Sequence, residues 1–162
     1  MVSSPVSFNS QIIEARLALG MVGPEEIPAL ACDALEAGFD GSAIRRLAAL
    51  IKPSGWETDR ILPAFMTEAG LEIISRQEAS VRIARQLAGR ILREDLDPLD
   101  YSRDFELLWI RADHPEAITD AGMLDDQKAV AEYIGQSEDE LRDYARSVLV
   151  ALVAAGDPKD QG

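Results

Sequence analysis

The sequence has one cysteine, one histidine and 6% aromatic residues, and each scarcity excludes something. The lone Cys32 cannot close an internal disulfide, and its place in an apolar helical pattern makes a reducing cytoplasm the simplest setting, with a reactive thiol as the other reading. His114 is the sole histidine, so any histidine-based acid–base pair or metal site must be built on it alone. Held between Asp113 and Pro115, it reads as a polar surface turn. The longest apolar run, YARSVLVALVAA, has twelve residues with Arg146 inside it and is too short for a membrane span. The opening MVSSPVSFNSQ lacks the charged and apolar segments of an export signal. No stretch alternates with the period of a strand, and no Asn-Gly or Asp-Gly turn joins two apolar runs. A Gly-rich phosphate loop and a serine nucleophile elbow are likewise missing.

What is present is acid and amphipathic helix. A length of 162 residues, 47% of them apolar, suffices for one domain with a real core. The net charge is −13, and it is unevenly spread. Residues 45–94 hold six acids and nine bases, whereas residues 95–143 hold fifteen acids and four bases. Such a chain repels phosphate backbones, so direct binding of nucleic acid is not expected, whereas a basic protein would be attracted.

Helix signals recur along the chain and predict an all-α fold, a compact irregular bundle of seven or eight helices without a sheet. The expected domain spans residues 10–156, between a flexible N-terminal tail, 1–9, and a disordered C-terminal tail, 157–162. A first helix from Ser10 should end near Gly20. A second opens at Gly23-Pro24-Glu25-Glu26, where proline suits the first turn and acids suit the dipole, and stops at Gly38. A third follows Asp40 or Ser42 as its cap and ends before Pro53. In the fourth, Pro63 should start or kink the regular part. The capping box Ser75 to Glu78 opens a long helix, with Ala84, Leu87, Ala88, Ile91 and Leu92 on one side and Arg82, Arg85, Arg90 and Arg93 on the other. Asp97-Pro98 restarts the chain ahead of the stripe Tyr101, Phe105, Leu108, Trp109 and Ala112. A helix from about Asp125 to Gly135 and another from the capping box Ser137 to Glu140 complete the set. Trp56 and Trp109 both read as core residues.

The acidic block supplies the candidate site. With Ala129, Val130, Tyr133 and Ile134 facing inward, Asp125, Asp126 and Glu132 stay outside. With Leu141 and Tyr144 inward, Glu138, Asp139 and Asp143 stay outside. Adding Asp113, Glu116 and Asp120 from the preceding loop gives one continuous negative face, with Tyr133 or Tyr101 as an apolar anchor should its ring be exposed. Its plain reading is a solvated surface. Its sharper reading is electrostatic capture of a basic partner, in which complementary fields speed association about 10- to 10³-fold. Asp125-Asp126 and Glu138-Asp139-Glu140 lack the spacing of an EF-hand loop and fall where helix starts favour acids, so no metal or other cofactor is expected. The arginine stripe reads as a solvated face paired with the chain's own acids, or else as a contact for phosphate or an acidic partner.

The stretch from IPALACDALEAGFDGSAIRRLAALIKPSGWE through ILPAFMTEAGLEIISRQEA to the Leu-Asp-Pro turn and aromatic helix of LREDLDPLDYSRDFELLW covers residues 27–109. It resembles a group of small bacterial helical proteins that are similar in size and charge to the immunity proteins of bacterial toxins. The resemblance rests on scaffold features and implies no catalytic residues. It implies a non-enzymatic, cytoplasmic inhibitor that occludes a basic toxin or effector, such as a nuclease, through its acidic C-terminal half. Two other readings stay open: a phage- or plasmid-borne mimic of nucleic-acid charge that blocks a defence enzyme, and a small hydrolase built on converging carboxylates or a metal. Genomic neighbourhood separates the first from the inhibitor, and a metal titration exposes the second.

Overall fold

Every regular element among the described residues is helical. The computed structural model describes residues 8–156; the expected tail 157–162, and residues 1–7 of the expected N-terminal tail, lie outside the described residues. Nine α-helices occur among them, one being the single turn Thr119–Gly122, and no strand. The all-α expectation is met. The span read as one domain divides in the chain after Ile74 into two compact units.

The first unit holds α1 (Ser10–Ala18), α2 (Ile27–Glu36), α3 (Ser42–Ala48) and α4 (Gly55–Glu68). Asn9 caps α1 by accepting the Ile12 N–H, and Phe8 packs its ring 5.5 Å from that of Phe39. A 3-10 turn, Pro24–Glu26, leads into α2. Glu26 accepts the Gly23 N–H at 2.9 Å and pairs with Arg16 at 3.0 Å. The Gly23 amide, and after it Arg16, hold the Glu26 carboxyl below its usual range. α2 packs on α3 and α3 on α4, enclosing Ile27, Ala31, Ile44, Leu47 and Phe65. Burying each of the larger side chains stabilises the unit by about 1.5–3 kcal/mol.

Two expectations about helix starts in this unit are corrected. Neither Asp40 nor Ser42 caps α3: Gly41 occupies the cap position, and the free amides of Ala43 and Ile44 are taken by Glu68. Pro63 neither starts nor visibly divides α4, which runs unbroken from Gly55. The missing proline N–H leaves the carbonyl of Asp59 without its helical donor, and Asp59 is exposed, so water can serve instead.

The second unit holds α5 (Arg76–Arg93), α6 (Ser102–Arg111), the turn α7 (Thr119–Gly122), α8 (Leu124–Val130) and α9 (Glu138–Ala154). α5 packs against α9 and α6, and α6 against α7 and α8. The fully buried alanines Ala84, Ala88 and Ala145 leave room for close helix approach. Ser80 Oγ donates to the Leu108 carbonyl at 2.6 Å and ties α5 to α6. The aromatic-helix stripe is largely as read, with Phe105, Leu108 and Ala112 buried, while Tyr101 and Trp109 are half-buried. Ser137 and Glu140 form the expected capping box, and Leu141, Ala145, Leu149 and Leu152 face inward from α9. No helix among the described residues is long and apolar enough to cross a membrane.

Candidate functional site

The C-terminal acidic region is assembled from three pieces of the second unit: the turn after α6, the short α8 with the turn that follows it, and the first half of α9. α8 stops at Val130, and residues 131–135 form turns that end at Gly135, with a left-handed φ of 72°. The inward residues are Leu124 and Ala131, which share a core with Leu99, Leu141 and Ala145. The expected inward set is therefore the wrong one. Ala129 is exposed, and Val130, Tyr133 and Ile134 are 47%, 89% and 69% exposed. Two helical faces were available to these residues, and the one anchored by the fully buried Leu124 is the face that packs. Tyr144, expected to face inward, is 37% exposed. It lines a shallow hollow with Gln127, Ile134 and Gln136.

The ten residues of the candidate face fall into distinct environments. Asp125 is half-buried rather than outside, because its carboxylate accepts the Ser102 hydroxyl at 2.8 Å and fixes α8 to α6. Glu138 and Asp139 are exposed but committed to Arg142, at 3.0 and 2.8 Å. Arg142 also reaches Asp97 at 3.2 Å, so one guanidinium gathers three carboxylates. Donating a hydrogen bond to the Asp97 carboxylate is the main cause that raises the Arg142 pKa. Burial pushes the Asp97 carboxyl up, but the bonds from Arg142 and the Leu99 amide outweigh it and hold the group below its ordinary value. Arg146 offsets the same region by pairing with Asp95 at 3.1 Å.

Glu116, Asp120, Asp126, Glu132 and Asp143 are exposed, with no cation within pairing distance among the described residues. Lys128, the base nearest to two of them in sequence, turns its ammonium to the Leu99 carbonyl at 3.4 Å. Asp113 is fully exposed, 3.9 Å from the His114 ring nitrogen. Asp113 and His114 both take left-handed backbone conformations, with φ of 59° and 58°. His114 sets its ring edge-on to Trp109, centroids 4.4 Å apart. The polar turn thus has an aromatic contact that residue spacing did not reveal.

The arginine stripe is mostly satisfied within α5 and the end of α9. Arg82 pairs with Glu78 at 2.7 Å, Arg90 with Glu94 at 3.2 Å, and Arg85 donates to the Ala155 carbonyl at 2.9 Å. Arg93 is exposed. Glu78 and Glu94, the acids paired with Arg82 and Arg90, lie on α5 and at its C-terminal cap, outside the block at 95–143. Cys32 is exposed on α2. Among the described residues no group of three or more His, Cys, Asp or Glu side chains is placed to hold a metal ion.

The arrangement can therefore offer a partner a small apolar surface, Val130, Tyr133, Ile134 and Tyr144, bordered in sequence by the uncompensated carboxylates Asp126, Glu132 and Asp143. No protein-family model, curated protein or solved structure matches this chain.

Proposed function

We propose that the chain is a non-enzymatic binding protein that captures a basic protein through the surface formed by α8, the turn 131–135 and the start of α9. The reading extends to an immunity-type inhibitor: a cytoplasmic protein that covers the basic working surface of a toxin or effector, a nuclease being the partner class whose surface must be cationic. The observation that carries it is the exposure of Tyr133 and Ile134, at 89% and 69%, next to carboxylates that have no cation within pairing distance among the described residues. Protein interfaces combine aromatic anchors with a polar rim, and anchors dominate their energy. The carboxylates steer the encounter, and the tyrosine and isoleucine hold the complex once formed. The acids tied to Arg142 and Ser102 shape this surface and lie outside the set that meets the partner.

The test uses immobilised full-length protein with cell extract from its source, and two variants beside it: Tyr133→Ala/Ile134→Ala, and Asp126→Lys/Glu132→Lys/Asp143→Lys. A basic protein retained by the wild type, lost from both variants and released by raised salt supports the reading. The same proteins held equally by all three baits would overturn it. Circular dichroism checks that each variant keeps its helix content.

A further inference from the structure

The first unit has a hollow of the opposite character. It measures about 280 Å³, with Ala49, Leu50 and Ile61 as its apolar part and Arg46, Trp56 and Arg60 around them. Trp56 is 69% exposed, against its expected place in a core. The reason lies in its position on α4: Thr58 and Phe65 are the buried residues of that helix, and at about 100° per residue Trp56 falls on the side away from Phe65. Arg60, one turn on, sets its guanidinium 4.9 Å from the centroid of the Trp56 ring.

The charges here are notable for what they lack. The chain has 29 acids to 16 bases, and elsewhere in this unit Arg16 and Arg45 have carboxylate partners, Glu26 and Asp40. Arg46 and Arg60 have none among the described residues. The one acid lining the hollow, Glu57, directs its carboxylate to the amide and hydroxyl of Ser54 in the α4 capping box. What remains is a concave apolar site beneath an exposed indole, with two uncompensated guanidiniums at its rim.

We propose that this hollow binds an acidic peptide segment of a partner protein. One bulky apolar side chain of the segment fills the space against Leu50, Ile61 and Trp56, and flanking carboxylates lie on Arg46 and Arg60. The volume suits a single side chain and is small for a cofactor. Guanidiniums match carboxylates in planar geometry, and an indole already stacked by Arg60 is held ready for contact. A bilayer is the less fitting occupant, since the site is concave and takes one side chain rather than a flat surface. The site lies in the other unit from the acidic surface and does not depend on its role.

The experiment follows the two indole N–H signals of the ¹⁵N-labelled full chain, with Trp56→Phe identifying which belongs to Trp56. The probe is a blocked peptide with one phenylalanine between pairs of glutamates. Two peptide controls replace glutamate by lysine, or phenylalanine by alanine, and phosphatidylglycerol vesicles form a third. The expected result is a saturable shift of the Trp56 signal alone, with the lysine and alanine peptides inactive. Arg46→Gln/Arg60→Gln should weaken binding about threefold to thirtyfold. No shift at millimolar peptide, equal shifts with the lysine peptide, or undiminished binding by the arginine variant would each overturn the proposal. A response to vesicles but not to peptide would also overturn it and assign the site to a lipid surface.

Discussion

Glu68 accepts the backbone N–H of Ile44 at 2.9 Å, and its other carboxylate oxygen accepts that of Ala43 at 3.1 Å. A side chain at the end of α4 thus supplies the cap that α3 lacks locally. An anion there also complements the positive end of the α3 dipole. Glu68→Ala is expected to cost about 1–2 kcal/mol, the range of a lost helix cap with buried amides left partly unsatisfied. Gly41→Ala should reach the same result by another route, because a Cβ at that glycine would overlap the Glu68 carboxylate and displace it. Since both changes remove one interaction, the double variant should lose clearly less than the sum in urea denaturation. Full additivity would show that Glu68 does not act as the cap.

This cap also marks what the sequence could and could not show. Helix positions were legible because caps, glycines and 3.6-residue spacing are local: Ser75 and Ser137 each accept the N–H three residues on. The contact from Glu68 to α3 is tertiary, and nothing near Asp40 or Ser42 announces it. The candidate site was legible as an acidic block but not in its internal pairing. Arg142 sits one turn from Glu138 in the chain, yet its third partner, Asp97, lies 45 positions away. The choice between two apolar faces on α8 was equally hidden, because it is settled by the core around Leu124 and Ala131.

Gly122 faces the indole of Trp109 so closely that a Cβ there would sit 2.6 Å from Trp109 Cγ and 2.7 Å from its Cβ. Neither atom is the free end of a flexible chain, so α6 and α7 would have to separate. Gly122→Ala is expected to cost about 1–3 kcal/mol, as overpacking does, although alanine is the better helix former. Chemical denaturation monitored at Trp109, in a Trp56→Phe background, measures this. An unchanged or raised midpoint would show that the two elements are not in the contact described.

Asp97 makes stability depend on acid. Its folded-state pKa is lowered: burial raises it, and the bonds from Arg142 and the Leu99 amide reverse that effect. The unfolded chain therefore binds more protons between the two values, and stability rises with pH through that window. The contribution is fully present above the unfolded carboxyl value, about 3.9, and disappears as pH falls through the folded one. Asp97→Asn should lower the melting temperature at pH 7, and its deficit should shrink below about pH 4. A deficit that stays constant from pH 7 to pH 3 would mean that the loss comes from packing and not from charge.

Tyr133 and Ile134 provide the most direct separation of stability from binding. Were they core residues, truncation would cost about 2–5 kcal/mol each. At 89% and 69% exposure they should cost little: Tyr133→Ser and Ile134→Ser are expected to lie within about 0.5 kcal/mol of the wild type. Leu124→Ala, on the buried side of α8 just before the turn 131–135, should show the full core penalty. The contrast between these variants in one denaturation series fixes how α8 and the turn after it are placed. Exposed apolar side chains that contribute nothing to folding still reduce solubility, so the serine variants should also stay monomeric at higher protein concentration. If Ile134→Ser proved as damaging as Leu124→Ala, the turn 131–135 would be packed inward. The acidic surface would then lose its anchors, and capture of a partner would rest on charge alone.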